Sequence, residues 1–111
     1  MAFVDTQVRP QGEQQVGKLD VRGVLLRAAD LIEQRGLCKG MQQDELGRLC
    51  IAGAVLLASD CYIGSAHNEA GLLAVDRFLR HIGSDDCGPA PWNNAPERTQ
   101  AEVVAALRAA A

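Results

Sequence analysis

The chain has 111 residues and a formal net charge of -3, a length that supports one modest hydrophobic core and argues against a second domain. Acidic and basic residues are interspersed rather than blocked, which argues against nucleic acid as a partner, because phosphate binding strengthens with the number of clustered Lys and Arg contacts. Hydrophobic residues make up 48% of the chain and aromatic ones 4%, so the core is expected to consist of Leu, Val, Ile and Ala, a mixture suited to closely packed helices.

The first ten residues carry an acid at position 5 and no long apolar run, which is not the pattern of a secretory signal. A cytoplasmic location is therefore expected, with Cys38, Cys50, Cys61 and Cys87 reduced; in an oxidising setting three pairings stay open. Residues 1–18 are rich in Gln and Gly, with Pro10 among them. They read as an N-terminal arm whose expected anchors are Phe3 and Val4. Residues 19–111 read as a single helical domain.

The first helix is expected from about Asp20 to Arg35. Val21, Val24, Leu25, Ala28, Leu31 and Ile32 recur at three- and four-residue steps, Asp20 suits the N-cap, and Gly36 suits a left-handed C-terminal cap. Polar residues from Cys38 to Asp44 form a connection. The second helix is expected to begin near Asp44 to Gly47 and to run to about Ser59. After Arg48 this stretch carries no charge until Asp60, so the helix must be covered on nearly every side, yet it is too short to span a bilayer. Cys50, Gly53, Ala54 and Ala58 share one smooth face on which another helix is expected to pack closely.

A third helix is expected from about Asn68 to Ile82, with Asn68 as N-cap, Leu72, Val75, Phe78, Leu79 and Ile82 as the buried stripe, and Gly83 as the stop. Three prolines between Ser84 and Arg98 favour extended backbone there. Two capping-box spacings follow, Asn94 to Glu97 and Thr99 to Glu102, which predict a turn at 95–98 and a fourth helix from Thr99 to about Ala109. The fold class is all-α: a compact bundle of about four helices with an N-terminal arm and a Pro-rich loop before the last helix.

Arg35-Gly36-Leu37, the stretch Gly47-Arg48-Leu49-Cys50-Ile51-Ala52-Gly53-Ala54, and Trp92-Asn93-Asn94-Ala95-Pro96-Glu97-Arg98-Thr99 together resemble an uncharacterised family of small helical proteins from actinobacteria and their phages. The resemblance covers roughly residues 20–108 and rests on Cys-x-x-Gly-Ala and Trp-Asn-x-x-Pro-x-Arg-Thr patterns. This chain departs from the family pattern at Leu37, where an aromatic is common, and at Asn94, where an Asp is common. The resemblance implies an all-helical fold and a bacterial or phage source, and it implies no mechanism.

The four Cys and two His lack Cys-x-x-Cys or close His spacing, so neither a metal nor a cofactor is expected. Cys50, near the start of the second helix, is the candidate nucleophile, with His67 or His81 as its base. Its shared face with Gly53 and Ala54 points instead to a buried, inert thiol. Trp92 is expected either to cap the open end of the bundle or to anchor a partner. Arg98 is expected to pair with Asp85, Asp86 or Glu97, or to bind an anion. The expected function is a non-enzymatic interaction or accessory protein of an actinobacterium or phage, acting on a protein partner or by self-association, with neither nucleic acid nor membrane involved. Its expected contact residues are Phe3, Val4, Trp92, Asn93, Asn94 and Arg98. The alternative is a small enzyme or ligand-binding protein using Cys50 with a His in a pocket.

Overall fold

The computed structural model describes residues 20–111; the N-terminal arm, with Phe3 and Val4, lies outside the described residues. Five helices follow in order: α1 Val21–Arg35, α2 Ile51–Ala58, α3 Glu69–Ile82, α4 Ala90–Asn93 and α5 Gln100–Ala110. Two isolated bridges, Leu37 with Leu49 and Gln43 with Leu49, are the β-type pairings among the described residues. The fold is all-α, and none of these helices is long and apolar enough to cross a membrane.

Helix α1 buries Val24, Leu25, Ala28, Ala29 and Ile32, the three- and four-step repeat expected of one helical face. It packs against α5, α2 and α3. Asp20 has the extended backbone of an N-cap, but its side chain makes no capping bond. Gly36 ends the helix with φ +102° and ψ 165°. That is positive φ without the left-handed helical cap expected from sequence, so the chain leaves α1 extended rather than curling back. Leu37 then pairs with Leu49 and donates its N–H to Gln100 Oε1 at 3.2 Å.

Helix α2 starts later than the apolar pattern suggests. Asp44 Oδ1 accepts the N–H groups of Leu46 at 3.0 Å and Arg48 at 2.9 Å, and Gly47 takes φ +82°, so residues 44–48 form a turn. Burial works against ionisation of Asp44. The guanidinium of Arg48, together with the two backbone donors, outweighs it and holds the carboxyl below its ordinary range. Leu49 is extended, and helix begins only after Cys50, whose sulfur accepts the N–H of Gly53 at 3.4 Å. Ile51, Gly53, Ala54, Val55, Leu56 and Ala58 are all buried, which matches a charge-free helix surrounded by protein.

At Gly53 the smooth face of α2 meets backbone, while Ala54 and Ala58 join the core shared with the other helices. A Cβ on Gly53 would lie 2.2 Å from the carbonyl oxygen of Gln42. That oxygen also accepts the N–H of Cys50 at 3.1 Å, so the glycine lets the 38–50 segment close over the start of α2.

Helix α3 has its expected caps. Asn68 Oδ1 accepts the N–H of Gly71 at 2.9 Å, and Gly83 takes the left-handed conformation at φ +71°. Its buried stripe is Ala70, Gly71, Ala74, Val75, Phe78 and Leu79. Leu72, expected inside, is exposed. Small residues at 70, 71 and 74 let the backbone of α3 approach its neighbours, and that rotation turns Leu72 and Leu73 outward.

The proline segment also departs from the extended reading. Pro89 stands at the N-cap and Pro91 lies in the first turn of the one-turn helix α4, where helical N–H groups have no internal partner and proline loses nothing. Of the two capping boxes, the one at Thr99 forms: Glu102 N–H donates to Thr99 Oγ1 at 3.2 Å and Thr99 N–H to Glu102 Oε1 at 2.9 Å. Arg98 N–H closes the turn onto Ala95 O at 2.9 Å. Arg108 ties α5 to α1 through Asp30 at 2.9 Å and Glu33 at 2.8 Å.

Candidate functional site

The segment from Trp92 to Thr99 is joined to the 38–50 segment along most of its length. Asn93 is 1% exposed. Its Oδ1 accepts the N–H of Ile51 at 3.0 Å and its Nδ2 donates to Cys38 O at 3.1 Å and to Asn94 Oδ1 at 3.1 Å. Asn94 Oδ1 also accepts the N–H of Gly40 at 3.0 Å. Lys39 Nζ donates to Ala95 O at 2.6 Å and Pro96 O at 3.3 Å. One buried amide therefore satisfies an orphan donor at the start of α2 and an orphan acceptor on the facing segment.

Trp92 packs its ring edge-on to Phe78 with centroids 5.4 Å apart, closing the end of the core. Arg98 lies over the Trp92 ring, its guanidinium 3.8 Å from the ring centroid, with Nε donating to Trp92 O at 3.0 Å. Its carboxylate neighbour is Glu102 at 3.8 Å, not Asp85, Asp86 or Glu97 as the sequence suggested; the turn at 95–98 carries Arg98 back toward α5. Of the four motif residues expected to meet a partner, Asn93 is buried, Trp92 and Arg98 are half-buried, and Asn94 is exposed. Phe3 and Val4 lie outside the described residues.

Cys50 and His67 are set at opposite ends of α2. Cys50 caps its start, and Ser59, immediately beyond its end, borders the same point as His67: a Cβ on Gly71 would lie 3.1 Å from His67 Nδ1 and 3.2 Å from Ser59 Oγ. Eight residues separate them by about 12 Å of helix at ~1.5 Å per residue, so the structure does not bring this thiol and imidazole together. His81 is exposed in the last turn of α3. Burial pushes the Cys38 thiol up, with Cys50 and Asp44 adding to it. Its Sγ donates to Arg48 O at 3.2 Å and Met41 O at 3.3 Å. His67 Nδ1 is buried without a hydrogen-bond partner among the described residues, and burial lowers its pKa below the ordinary 6.5. No group of three or more His, Cys, Asp or Glu among the described residues could hold a metal ion.

The large apolar side chains left in solvent lie elsewhere. They are Met41, Leu46 at 73%, Tyr62 at 82%, Leu72 at 58% and Leu73 at 49% exposed. Met41 and Leu46 sit on the segment that the motif holds in place. Tyr62 sits on the α2–α3 connection, which is tied to that segment by Gly64 N–H donating to Gln42 Oε1 at 2.8 Å. The sequence marked none of these as contact residues and set Leu72 in the buried stripe of its helix: a lone apolar residue in a loop carries no periodicity, and the adjacent leucines at 72 and 73, about 100° apart on a helix, were the available signal.

The model of a family of unknown function, DUF6197, matches residues 17–111. No curated protein and no solved structure matches the chain.

Proposed function

We propose that this chain, which belongs to the family of unknown function DUF6197, is a non-enzymatic accessory protein of an actinobacterium or its phage that acts through protein–protein contacts in the bacterial cytoplasm. The observation that carries the reading is the exposure of Met41, Leu46 and Tyr62 on loops that are held by hydrogen bonds rather than left loose. Large apolar and aromatic side chains on a fixed frame lose little freedom on binding and make effective anchors. In this reading the Trp92–Thr99 segment acts at one remove: Asn93, Asn94 and the carbonyls that hold Lys39 fix the segment that presents Met41 and Leu46. Four free thiols accord with a reducing compartment.

The test is site-specific photo-crosslinking in the host, with a benzophenone amino acid at position 62 and, as a control, at the exposed position 22. A discrete cross-linked protein at position 62 that is absent at 22, and is lost in a Met41→Ser/Leu46→Ser variant with unchanged circular dichroism, supports the reading. Equal cross-linking at both positions overturns it.

A further inference from the structure

We infer that hydrogen peroxide closes a disulfide between Cys38 and Cys50, and that this bond controls the segment presenting Met41 and Leu46. The control rests on reading that segment as a contact surface; the disulfide itself does not. Leu49 N–H donates to Gly36 O and Cys38 N–H to Leu49 O, both at 3.0 Å, which sets Leu37 beside Leu49 in a parallel bridge. One residue further along each strand Cys38 stands beside Cys50, and both side chains fall on the face opposite Leu37 and Leu49. The next ladder bond would join Ile51 N–H to Cys38 O. The Asn93 amide takes its place, accepting from the first at 3.0 Å and donating to the second at 3.1 Å, so it holds the two backbones slightly apart at this rung. Adjacent parallel strands lie about 4.8 Å apart and a disulfide spans Cα atoms about 4.4–6.8 Å apart, so a rung opened a little suits the bond. Both thiols are free, and Cys38 Sγ lies 3.2 Å from Arg48 O, two residues before Cys50.

The two sulfurs play different parts. Burial keeps the Cys38 thiol protonated, and the charge of Cys50 adds to that effect, whereas the Cys50 sulfur accepts a hydrogen bond from Gly53 N–H. Exposures of 7% and 8% admit a small peroxide in preference to a bulky disulfide. The Cys50 sulfur attacks one peroxide oxygen; the O–O bond breaks, and the hydroxide released leaves as water with the thiol proton, giving a sulfenic acid. The Cys38 sulfur then attacks the Cys50 sulfur. The S–S bond forms, the S–OH bond breaks, and the hydroxide takes the Cys38 proton as a second water. Two thiols lose two electrons in all, and one peroxide is reduced to two waters. Closure withdraws Cys38 Sγ from Met41 O and Arg48 O and Cys50 Sγ from Gly53 N–H. Two of these groups are main-chain carbonyls at Met41 itself and just after Leu46, so oxidation reshapes the surface those side chains form.

Peroxide treatment of the full chain carrying Cys61→Ser and Cys87→Ser, in which Cys38 and Cys50 are the remaining thiols, tests the bond. The expected result is loss of both thiols, a mass lower by two hydrogens, and joined peptides containing residues 38 and 50, all reversed by dithiothreitol. Retention of both thiols, or oxygen added to Cys50 while Cys38 stays free, overturns the disulfide. If circular dichroism shows that the double variant is misfolded, the joined peptide is sought by fragmentation in the treated parent, where its absence overturns the disulfide equally. The control is read by the cross-link from position 62 in host cells treated with peroxide. That cross-link is expected to be lost on oxidation and retained in Cys38→Ser, whose hydroxyl can donate to the same carbonyls but cannot form the bond. A disulfide that forms and leaves the cross-link unchanged overturns the control alone. A cross-link absent in both redox states overturns the contact reading, and the control with it, while the disulfide stands.

Discussion

Asn93 Oδ1 accepts the N–H of Ile51 at 3.0 Å, so the first turn of α2 is capped by a side chain 42 positions further along the chain. Truncation by Asn93→Ala strands the Ile51 donor and the Cys38 carbonyl in a buried site. An unsatisfied buried polar group costs about 1–3 kcal/mol, and the expected loss is ~2–4 kcal/mol in urea denaturation for the two together. Asn93→Asp keeps the acceptor but loses the donor to Cys38 O, and is expected to be nearly as harmful. A loss below about 0.5 kcal/mol for Asn93→Ala would show that this amide is not what holds the two segments together.

Gly53 is expected to tolerate no side chain. The atom that Gly53→Ala would strike is a main-chain oxygen that also accepts the Cys50 N–H, so it cannot move aside cheaply. Overpacking of about 1–3 kcal/mol is thus compounded by a weakened hydrogen bond. Thermal unfolding of Gly53→Ala should show a clear drop, whereas a variant as stable as the parent would mean that the 38–50 segment can lift off α2 at little cost.

The contact of Arg98 with Trp92 is expected to contribute about 1–3 kcal/mol, combining cation–π stacking with a charge-assisted bond to a carbonyl. Arg98→Ala should lower stability by that amount and, since Trp92 is the single tryptophan, should shift the fluorescence emission to longer wavelength as the indole meets water. Arg98→Lys is expected to recover less than half, because an ammonium cannot stack flat and donate in plane at once. Unchanged emission in Arg98→Ala would show that the ring is held by Phe78 alone.

His67 is expected to make stability depend on pH. Its folded pKa lies below the unfolded value of about 6.5 because burial disfavours the charged ring. Its neutral form is therefore favoured by the fold: the contribution is complete above the unfolded value of about 6.5 and is lost as pH falls below it toward and through the lower folded pKa. The midpoint of urea unfolding should decline from about pH 7.5 to about pH 5.5, and His67→Gln should flatten that decline. An identical slope in the variant would place the dependence on other groups.

The thiols are expected to alkylate in the order of their exposure, with Cys87 first, Cys61 next, and Cys38 and Cys50 last. Mass spectrometry of the folded protein after timed iodoacetamide treatment reads this directly. Cys50 reacting as fast as free cysteine would revive the nucleophile reading despite its role as a cap.

Most helix positions were legible because their causes are local. The three- and four-residue repeats of α1 and α5, the caps at Asn68, Thr99 and Gly83, and the turn before Arg98 all depend on groups within about four residues of one another. The late start of α2 was not legible. Leu49 is extended because it pairs with Leu37 and Gln43, and no local propensity announces a pairing across a loop. In the stripe of α3, Val75, Phe78 and Leu79 are buried as expected and Leu72 alone is exposed: Leu outranks Ala in any hydrophobic count, but the close approach of neighbouring helices selects Ala70 and Ala74 for the interior.

By itself the sequence determined the all-α class, the charge-free core helix and its surroundings of protein, and the membership in a family of unknown function. Tertiary structure alone decided what the Trp-Asn motif does. Asn93 and Trp92 carry the chemistry of contact residues, yet Asn93 closes the chain upon itself, while Met41, Leu46, Tyr62, Leu72 and Leu73 are left facing water. The reason is that a side chain's chemistry is written in the sequence, but the partner that satisfies it is whatever the fold brings within about 3 Å. For Asn93, Asn94 and Gln100 the distant partners lie 42 to 63 residues away.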